Sequence, residues 1–201
     1  MHKVFENTNI DISKYPIKTY KKNEIVFEEG EFVNKLGLII NGCISIKTYT
    51  FNEKEYEINN ISSGGIFGEY IIFSDNPKFL GTGIALKETT IIYLSKNDLF
   101  ELLKNKTFYE NYFKLISQIT ISIQNKVKVL SQKEIRDKIL FLLYENLKRT
   151  KSNSLYISSK QRLSEYLNIT RPSLSRELIN MRDEGIITFD KHYIRIEKNY
   201  L

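Results

Sequence analysis

The stretch SSKQRLSEYLNITRPSLSRELINMRDEG, residues 158–185, places a helix start, a tight turn and a second helix start within one motif-sized window. Ser158 is positioned to cap the first helix and Gln161, three residues on, to return the bond, so that helix is expected to begin near Ser159. Leu163 and Leu167 lie four apart and give it one apolar face, while the small Ser164 lets a second helix cross closely. Asn168 supplies the turn, because asparagine tolerates the left-handed backbone that a sharp break between helices needs, and Ile169 plugs the corner. Thr170 caps the second helix, and Pro172 sits in its first turn, where a missing amide hydrogen loses no intrahelical bond. Leu174, Leu178 and Met181 then point inward by their spacing, while Pro172 and Arg176, four apart, lie on the opposite side, with Arg171 at the helix's leading end. Two helices joined in this way, with cations on the outer face of the second, form the pattern that sets a helix into a DNA groove.

Downstream, Gly185 ends the second helix, and IITF, Asp190-Lys191 and HYIRI read as two short strands around a tight turn. Helix, turn, helix and hairpin together read as a winged helix-turn-helix. Upstream, Glu134 to Arg149 predicts a helix that carries Ile135, Ile139, Leu142, Leu143 and Leu147 into the same core, followed by a polar loop, TKSNS, over residues 150–154.

Charge follows this division. Of the chain's net +6 over 201 residues, positions 1–106 carry −1 and positions 107–201 carry +7, so the excess sits where phosphate neutralisation would release counterions. No basic-then-apolar leader opens the sequence and no run approaches the ~18 apolar residues of a membrane span, which predicts a cytoplasmic protein with no membrane partner. Cys43 is the only cysteine, which excludes an intrachain disulfide and a four-cysteine cluster or zinc site. Within the run LGLIINGCISI it reads as a small buried hydrophobe.

Eight of the nine glycines fall at or before Gly83. Over residues 20–98 the short runs EIVF, KLGLII, CISIKTY, YEINNI and TTIIYL alternate with Gly, Asn, Asp and Ser clusters, the pattern of a small β-barrel or sandwich, with Pro16 and Pro77 in loops. From Asp98 the period changes to that of helix. Tyr112, Ile116, Ile119, Ile123, Lys126 and Leu130 follow steps of four and three, the seam of a two-stranded coiled coil, and a dimer matches two-fold DNA half-sites. Leu115 and Val127 could instead pack such a helix on its own barrel.

In this order, YKKNEIVFEEGE (20–31), LGLIINGCISI (36–46), GGIFGE (64–69) and TRPSLSREL (170–178) resemble the Crp–Fnr family of bacterial transcription regulators over nearly the whole chain. The resemblance implies an α+β fold: an N-terminal β jelly roll like a cyclic-nucleotide-binding domain over 1–106, a dimerisation helix over 107–132 and a winged helix-turn-helix over 133–201. It implies a homodimer on a double-stranded DNA operator, with RNA polymerase as a further partner. Family members read bases from the second helix with Arg-Glu-x-x-x-Arg or Glu-x-x-Ser-Arg; Arg171 and Ser175-Arg176 match parts of these, and Pro172 replaces the glutamate. The DNA-reading set is therefore Arg171, Pro172, Ser173, Ser175 and Arg176, and because proline offers only apolar contact the half-site is expected to differ from the family's usual one.

In members that bind cyclic AMP, a Gly-Glu pair contacts the ribose and a downstream Arg-Ser pair holds the cyclic phosphate. Gly68-Glu69 match the first pair, but Phe79-Leu80, followed by Gly81-Thr82-Gly83, stand at the second. No arginine precedes Arg136, and Lys78 offers only a point charge, so cyclic AMP is not expected to bind; backbone amides around Gly81 are the one alternative cradle. A different effector, of unspecified identity, would meet a pocket drawn from Phe67, Gly68, Glu69, Tyr70, Phe73, Phe79, Leu80 and Thr82. An iron–sulfur cluster is not expected with one cysteine, nor haem, because His2, the only histidine near the barrel, reads as a disordered terminal residue.

Two other functions compete. A metal-dependent jelly-roll enzyme needs two or three histidines with a carboxylate, and only His2 and His192 exist; Glu28-Glu29 and Glu55/Glu57 read as exposed strand and turn charges. A nucleotide-binding regulatory subunit lacks the phosphate-holding arginine. No catalytic residue or metal site is expected.

Overall fold

The computed structural model describes residues 2–49 and 55–197, with side chains omitted for 55–57. The chain packs as two compact units, Met1–Ile116 and Ser117–Leu201. Among the described residues no helix is long and apolar enough to cross a membrane.

In the first unit the short apolar runs become strands β1 (Ile17–Tyr20), β2 (Ile25–Phe27), β3 (Lys35–Asn41), β4 (Cys43–Tyr49), β5 (Glu55–Ser62), β6 (Ile66–Phe67), β7 (Thr82–Ala85) and β8 (Thr89–Ser95). They form two four-stranded antiparallel sheets, ordered β1-β8-β3-β6 and β2-β7-β4-β5, the two-sheet arrangement of a jelly roll. Leu36, Leu38, Ile39, Ile44, Ile91, Ile92 and Leu94 are fully buried, because both faces of these strands are covered. Two glycines admit large rings to the interior: a side chain at Gly83 would run into the Phe27 ring, and one at Gly37 into Phe67. Cys43 is half-buried, its sulfur accepting a 3.4 Å bond from the Ser62 hydroxyl.

Helix α1 (Lys96–Leu102) starts at a capping box in which the Ser95 hydroxyl and the Asp98 carboxylate serve each other's backbone amides. Helix α2 (Lys106–Leu130) continues from one unit into the other. Its first turns bury Phe108, Tyr112 and Leu115 in the first unit, and Val129 joins the core of the second. The packing boundary therefore falls inside α2, later than the boundary at 106 read from the sequence. Tyr112 is also removed from the seam, since it is 7% exposed and stacked on Phe108. Lys126 lies half-buried with its ammonium over the Tyr166 ring, while Val127, 61% exposed, faces outward rather than inward.

The second unit assembles α3 (Ile135–Thr150), α4 (Lys160–Leu167) and α5 (Arg171–Asp183) on a three-stranded antiparallel sheet ordered β10-β11-β9. Strands β10 (Ile187–Phe189) and β11 (Tyr193–Ile196) are the expected wing, with Gly185 left-handed at φ 73° before them. Strand β9 (Ser154–Tyr156) carries no sequence signal: Ser154 belongs by residue type to the polar loop, yet Ser154, Leu155 and Tyr156 pair with Arg195, Ile194 and Tyr193. Three residues are too few to show a period, and the pairing comes from a partner about forty residues away in the chain.

The N-terminal segment overturns the reading of His2 as disordered. The His2 ring is 1% exposed, its Nδ1 accepts from the Val4 amide at 3.3 Å, and its Nε2 lies 3.0 Å from the Gly65 carbonyl. Val4 and Phe5 follow it into the core, Phe5 meeting Phe108 with ring centroids 5.4 Å apart. Asn105 and Asn111 fix the segment by donating to the carbonyls of Thr8, Val4 and Glu6. With Nδ1 accepting and Nε2 donating, the ring is neutral, and protonation would place a second donor against the Val4 amide.

Burial first, and then the neighbouring charges of Lys3 and the chain's amino group, hold the His2 imidazole below its ordinary 6.5, against the Gly65 carbonyl and Glu6, which favour the charge. Below that ordinary value the unfolded chain binds a proton that the folded one resists, so stability is lost as pH falls. Thermal unfolding from about pH 7.5 to about 5.5 should therefore show a steeper fall in Tm for the wild type than for His2→Gln, whose amide does not titrate. Parallel slopes would contradict the burial of a neutral imidazole.

Candidate functional site

The two helices of the second unit are built by short-range chemistry. The cap of α4 is Ser159, not Ser158: its hydroxyl accepts from the Arg162 amide at 3.1 Å, and Gln161 donates to Glu165 instead of returning a bond to the cap. With two adjacent serines, the choice between them rests on where the preceding chain enters. Asn168 ends α4 with φ 52° and ψ 52°, as expected from its residue type, and Ile169 packs on the core. Thr170 then caps α5, accepting from the Ser173 amide at 3.3 Å and sharing a 2.8 Å contact with the Ser173 hydroxyl. Ser173 is thus half-buried and engaged at the cap.

Leu174, Leu178 and Met181 have no exposed surface, and they join Leu163, Leu167, Ile139, Leu143 and Val129 in one cluster. Their burial fixes the opposite side of α5 outward. Pro172 and Arg176 are exposed there, with Ser175 half-buried beside them, and Arg171 is exposed at the helix's leading end. The helix start adds the positive end of its dipole to this surface, which suits a phosphate-bearing partner. In the wing, Asp190 accepts from the amides of His192 and Tyr193 at 2.8 and 2.9 Å and pairs with Arg195 at 2.9 Å, which closes the hairpin turn. His192 lies flat against Tyr156, with ring centroids 6.1 Å apart.

One group near this surface has no sequence signal. Arg136, in the first turn of α3, donates from Nε to Glu177 and from both terminal nitrogens to Glu184, each at 2.7 Å. Carboxylates so far along the chain carry no mark in the sequence of the arginine they meet.

In the first unit the residues expected to form an effector pocket do not converge. Phe67 and Phe79 are buried in the barrel, where Phe79 stacks on Phe27 with centroids 3.8 Å apart, whereas Tyr70 and Leu80 are 64% and 66% exposed. Phe73 is exposed and meets Phe100. The half-buried Thr82 accepts from the Glu29 amide at 3.1 Å, and Gly68 forms a turn whose carbonyl accepts from Ile71 and Ile72. Beside these rings a half-open pocket of about 80 Å³ is lined by Phe27, Phe67, Phe79 and Tyr93 together with Glu31, Phe32 and Lys35. That is well below the roughly 300–1,000 Å³ of ordinary ligand pockets. A more open hollow of about 430 Å³ lies along Phe32, Val33, Asn34, Pro77 and Lys96, none of them expected from the sequence.

A cyclic nucleotide does not fit the residues present. Its phosphate would face Phe79 and Leu80, and Gly81 is buried so tightly that a side chain there would come within 2.7 Å of the Lys47 carbonyl. Glu69 keeps one carboxylate oxygen buried with no hydrogen-bond partner, and burial pushes its pKa up to about 7. Tyr112 is pushed up to about 12, by burial first and then by Glu69. Glu28 and Glu29 are exposed, Glu29 accepting from the Thr48 hydroxyl at 2.9 Å; the side chains of Glu55 and Glu57 lie outside the described residues.

Comparison with known proteins agrees with this geometry in both units. A family model described as a cyclic nucleotide-binding domain matches residues 17–106, and one described as a Crp-like helix-turn-helix domain matches residues 139–198. The anaerobic regulatory protein of Bacillus subtilis (strain 168) is 25% identical over 85% of this chain and 75% of its own. The regulatory protein HlyX of Actinobacillus pleuropneumoniae is 26% identical over 98% and 83%. Among solved structures, OCPA-complexed CprK superposes with a TM-score of 0.73 at 15% identity, covering 96% of this chain and 89% of that one. A CooA mutant from Carboxydothermus hydrogenoformans gives 0.69 at 16% identity over the same shares. These structural likenesses establish the fold. With a matched sensor-type domain and a matched Crp-like helix-turn-helix following in order, and regulators aligned along most of its length, the chain belongs to the Crp–Fnr family of transcription regulators.

Proposed function

We propose that this regulator binds its operator as a homodimer in the cytoplasm, reads bases through Arg171, Ser175 and Arg176 with Pro172 as an apolar contact, and answers to an effector other than cyclic AMP. It acts by binding, with RNA polymerase as a further partner, and not as an enzyme. The carrying observation is the two-sidedness of α5: complete burial of Leu174, Leu178 and Met181 leaves Pro172 and Arg176 together on the free side, with Arg171 exposed at the helix's leading end. An arginine there can bond a guanine edge in two places, and proline can meet a thymine methyl.

The linking helix supports the dimer. Over residues 107–132, Ile123, Val127 and Leu130 are 57%, 61% and 37% exposed at steps of four and three, and the half-buried Ile119 lies one turn before them. Such a stripe reads as a coiled-coil seam, with Val127 in place of Lys126. The effector reading rests on the apolar Phe79-Leu80 pair, because neither side chain offers a phosphate a charge or a hydrogen bond.

Replacing Arg176 with alanine should weaken operator binding by ~1–3 kcal/mol and relax preference at one base pair, as read by binding-site selection followed by fluorescence anisotropy. Unchanged preference and affinity would remove Arg176 from the reading set. Because Ile123 is exposed in the protomer, Ile123→Glu should leave the fold intact yet convert a dimer to a monomer and abolish operator binding, which light scattering and circular dichroism together can follow. A wild type that stays monomeric even on DNA would refute the seam. Cyclic AMP and cyclic GMP should give no measurable heat by isothermal titration with micromolar protein and no change in operator affinity. A micromolar Kd abolished by Glu69→Ala would restore the cyclic nucleotide as effector.

A further inference from the structure

The apolar core decides which side of α5 faces outward. Leu174, Leu178 and Met181 are completely buried, in contacts that carry no directional bond. Base reading adds a directional demand, since a bidentate contact needs the guanidinium plane and the base edge aligned. A directional contact beside that core would hold the helix about its own axis.

Arg136 has the required geometry. Its planar fork meets Glu177 through Nε and both oxygens of Glu184 through the terminal nitrogens, all at 2.7 Å. Glu177 lies within α5 directly after Arg176, and Glu184 is its C-cap, seven residues and about two turns further on, so both stand on one side of the helix. One rigid cation thus holds α5 at its middle and at its end. The side chains of Arg136, Glu177 and Glu184 are 34%, 20% and 47% exposed, against 71% and 70% for the Lys104–Glu101 pair. A surface pair of the latter kind contributes little, whereas a bidentate, partly shielded arginine fork imposes geometry. Its bonds also hold the Glu184 carboxyl below the usual range. Moreover, Arg136 stands just after α2 gives way to α3, so the anchor of α5 lies where the linking helix enters the domain.

We propose that Arg136 is a positioning residue for sequence recognition: its fork on Glu177 and Glu184 sets the rotation of α5 and so aims Arg171 and Arg176. This rests on the reading of α5 as the DNA-contacting helix. The test compares wild type, Arg136→Leu, Arg136→Lys, Glu177→Gln and the Arg136→Leu/Glu177→Gln double variant on a duplex selected by the wild type and on a scrambled duplex. Each variant is first confirmed folded at the assay temperature by circular dichroism.

Arg136→Leu should lose roughly tenfold on the selected duplex and far less on the scrambled one, because phosphate contacts do not depend on aim. Arg136→Lys should recover part of the loss. The double variant should lose no more than Arg136→Leu alone, as expected when both residues serve one contact. Folded variants that keep the wild-type ratio of selected to scrambled affinity, or losses that simply add, would overturn the proposal. Amide hydrogen exchange in the free protein provides a readout independent of DNA. Faster exchange along α5 in Arg136→Lys supports the clamp and unchanged exchange overturns it, whereas a wild type that selects no sequence would instead overturn the DNA-reading assignment of α5.

Discussion

The DNA-facing surface depends on one constraint, the burial of a single side of α5. Leu174, Leu178 and Met181 are removed from water against Leu163, Leu167 and Val129, and a helix with one side fixed in a core has no choice about the other. The break at Asn168 makes that burial possible, because its left-handed backbone redirects the chain without a strained β-branched residue at the corner. Arg136 adds ion pairs to Glu177 and Glu184, which are directional where the apolar contacts are not.

The first unit is governed by a different economy of space. Phe27, Phe67 and Phe79 occupy the barrel interior, and Gly37 and Gly83 are the concessions in the sheets that make room for two of those rings. A barrel so filled gains stability from its own side chains where an open one would offer a ligand volume. The unpartnered Glu69 oxygen is the exception. A buried carboxylate without a cation is costly when ionised, and the protein answers by holding its pKa near neutrality.

Helix α2 meets three environments along its length. Its first turns are core, with Phe108 and Tyr112 stacked inside the first unit; its end supplies Val129 to the second; between and beside these lie the exposed Ile123, Val127 and Leu130. A four-three apolar repeat describes all of these equally. Periodicity reports that a face is apolar, and only the packing reports what covers it.

The sequence by itself determined the order of the parts and the local chemistry of the second unit. Asn168, Thr170, Pro172 and Gly185 act through bonds to near neighbours, so their roles are written in residue types a few positions apart, and the apolar spacing of α5 decided which side would be free. The Arg-Ser clamp's replacement by Phe79-Leu80 was equally legible. Only the tertiary structure decided that Ser159 rather than Ser158 is the cap, that Ser154–Tyr156 is a strand, that Tyr112 is core rather than seam, that His2 is buried, and that Arg136 meets Glu177 and Glu184. The strand, the buried His2 and the Arg136 fork each depend on a partner brought from elsewhere in the chain: a strand that completes a pairing, a carbonyl that takes an imidazole, a carboxylate that takes a guanidinium. Long-range contacts leave no trace in local spacing, because burial and pairing are properties of the folded whole.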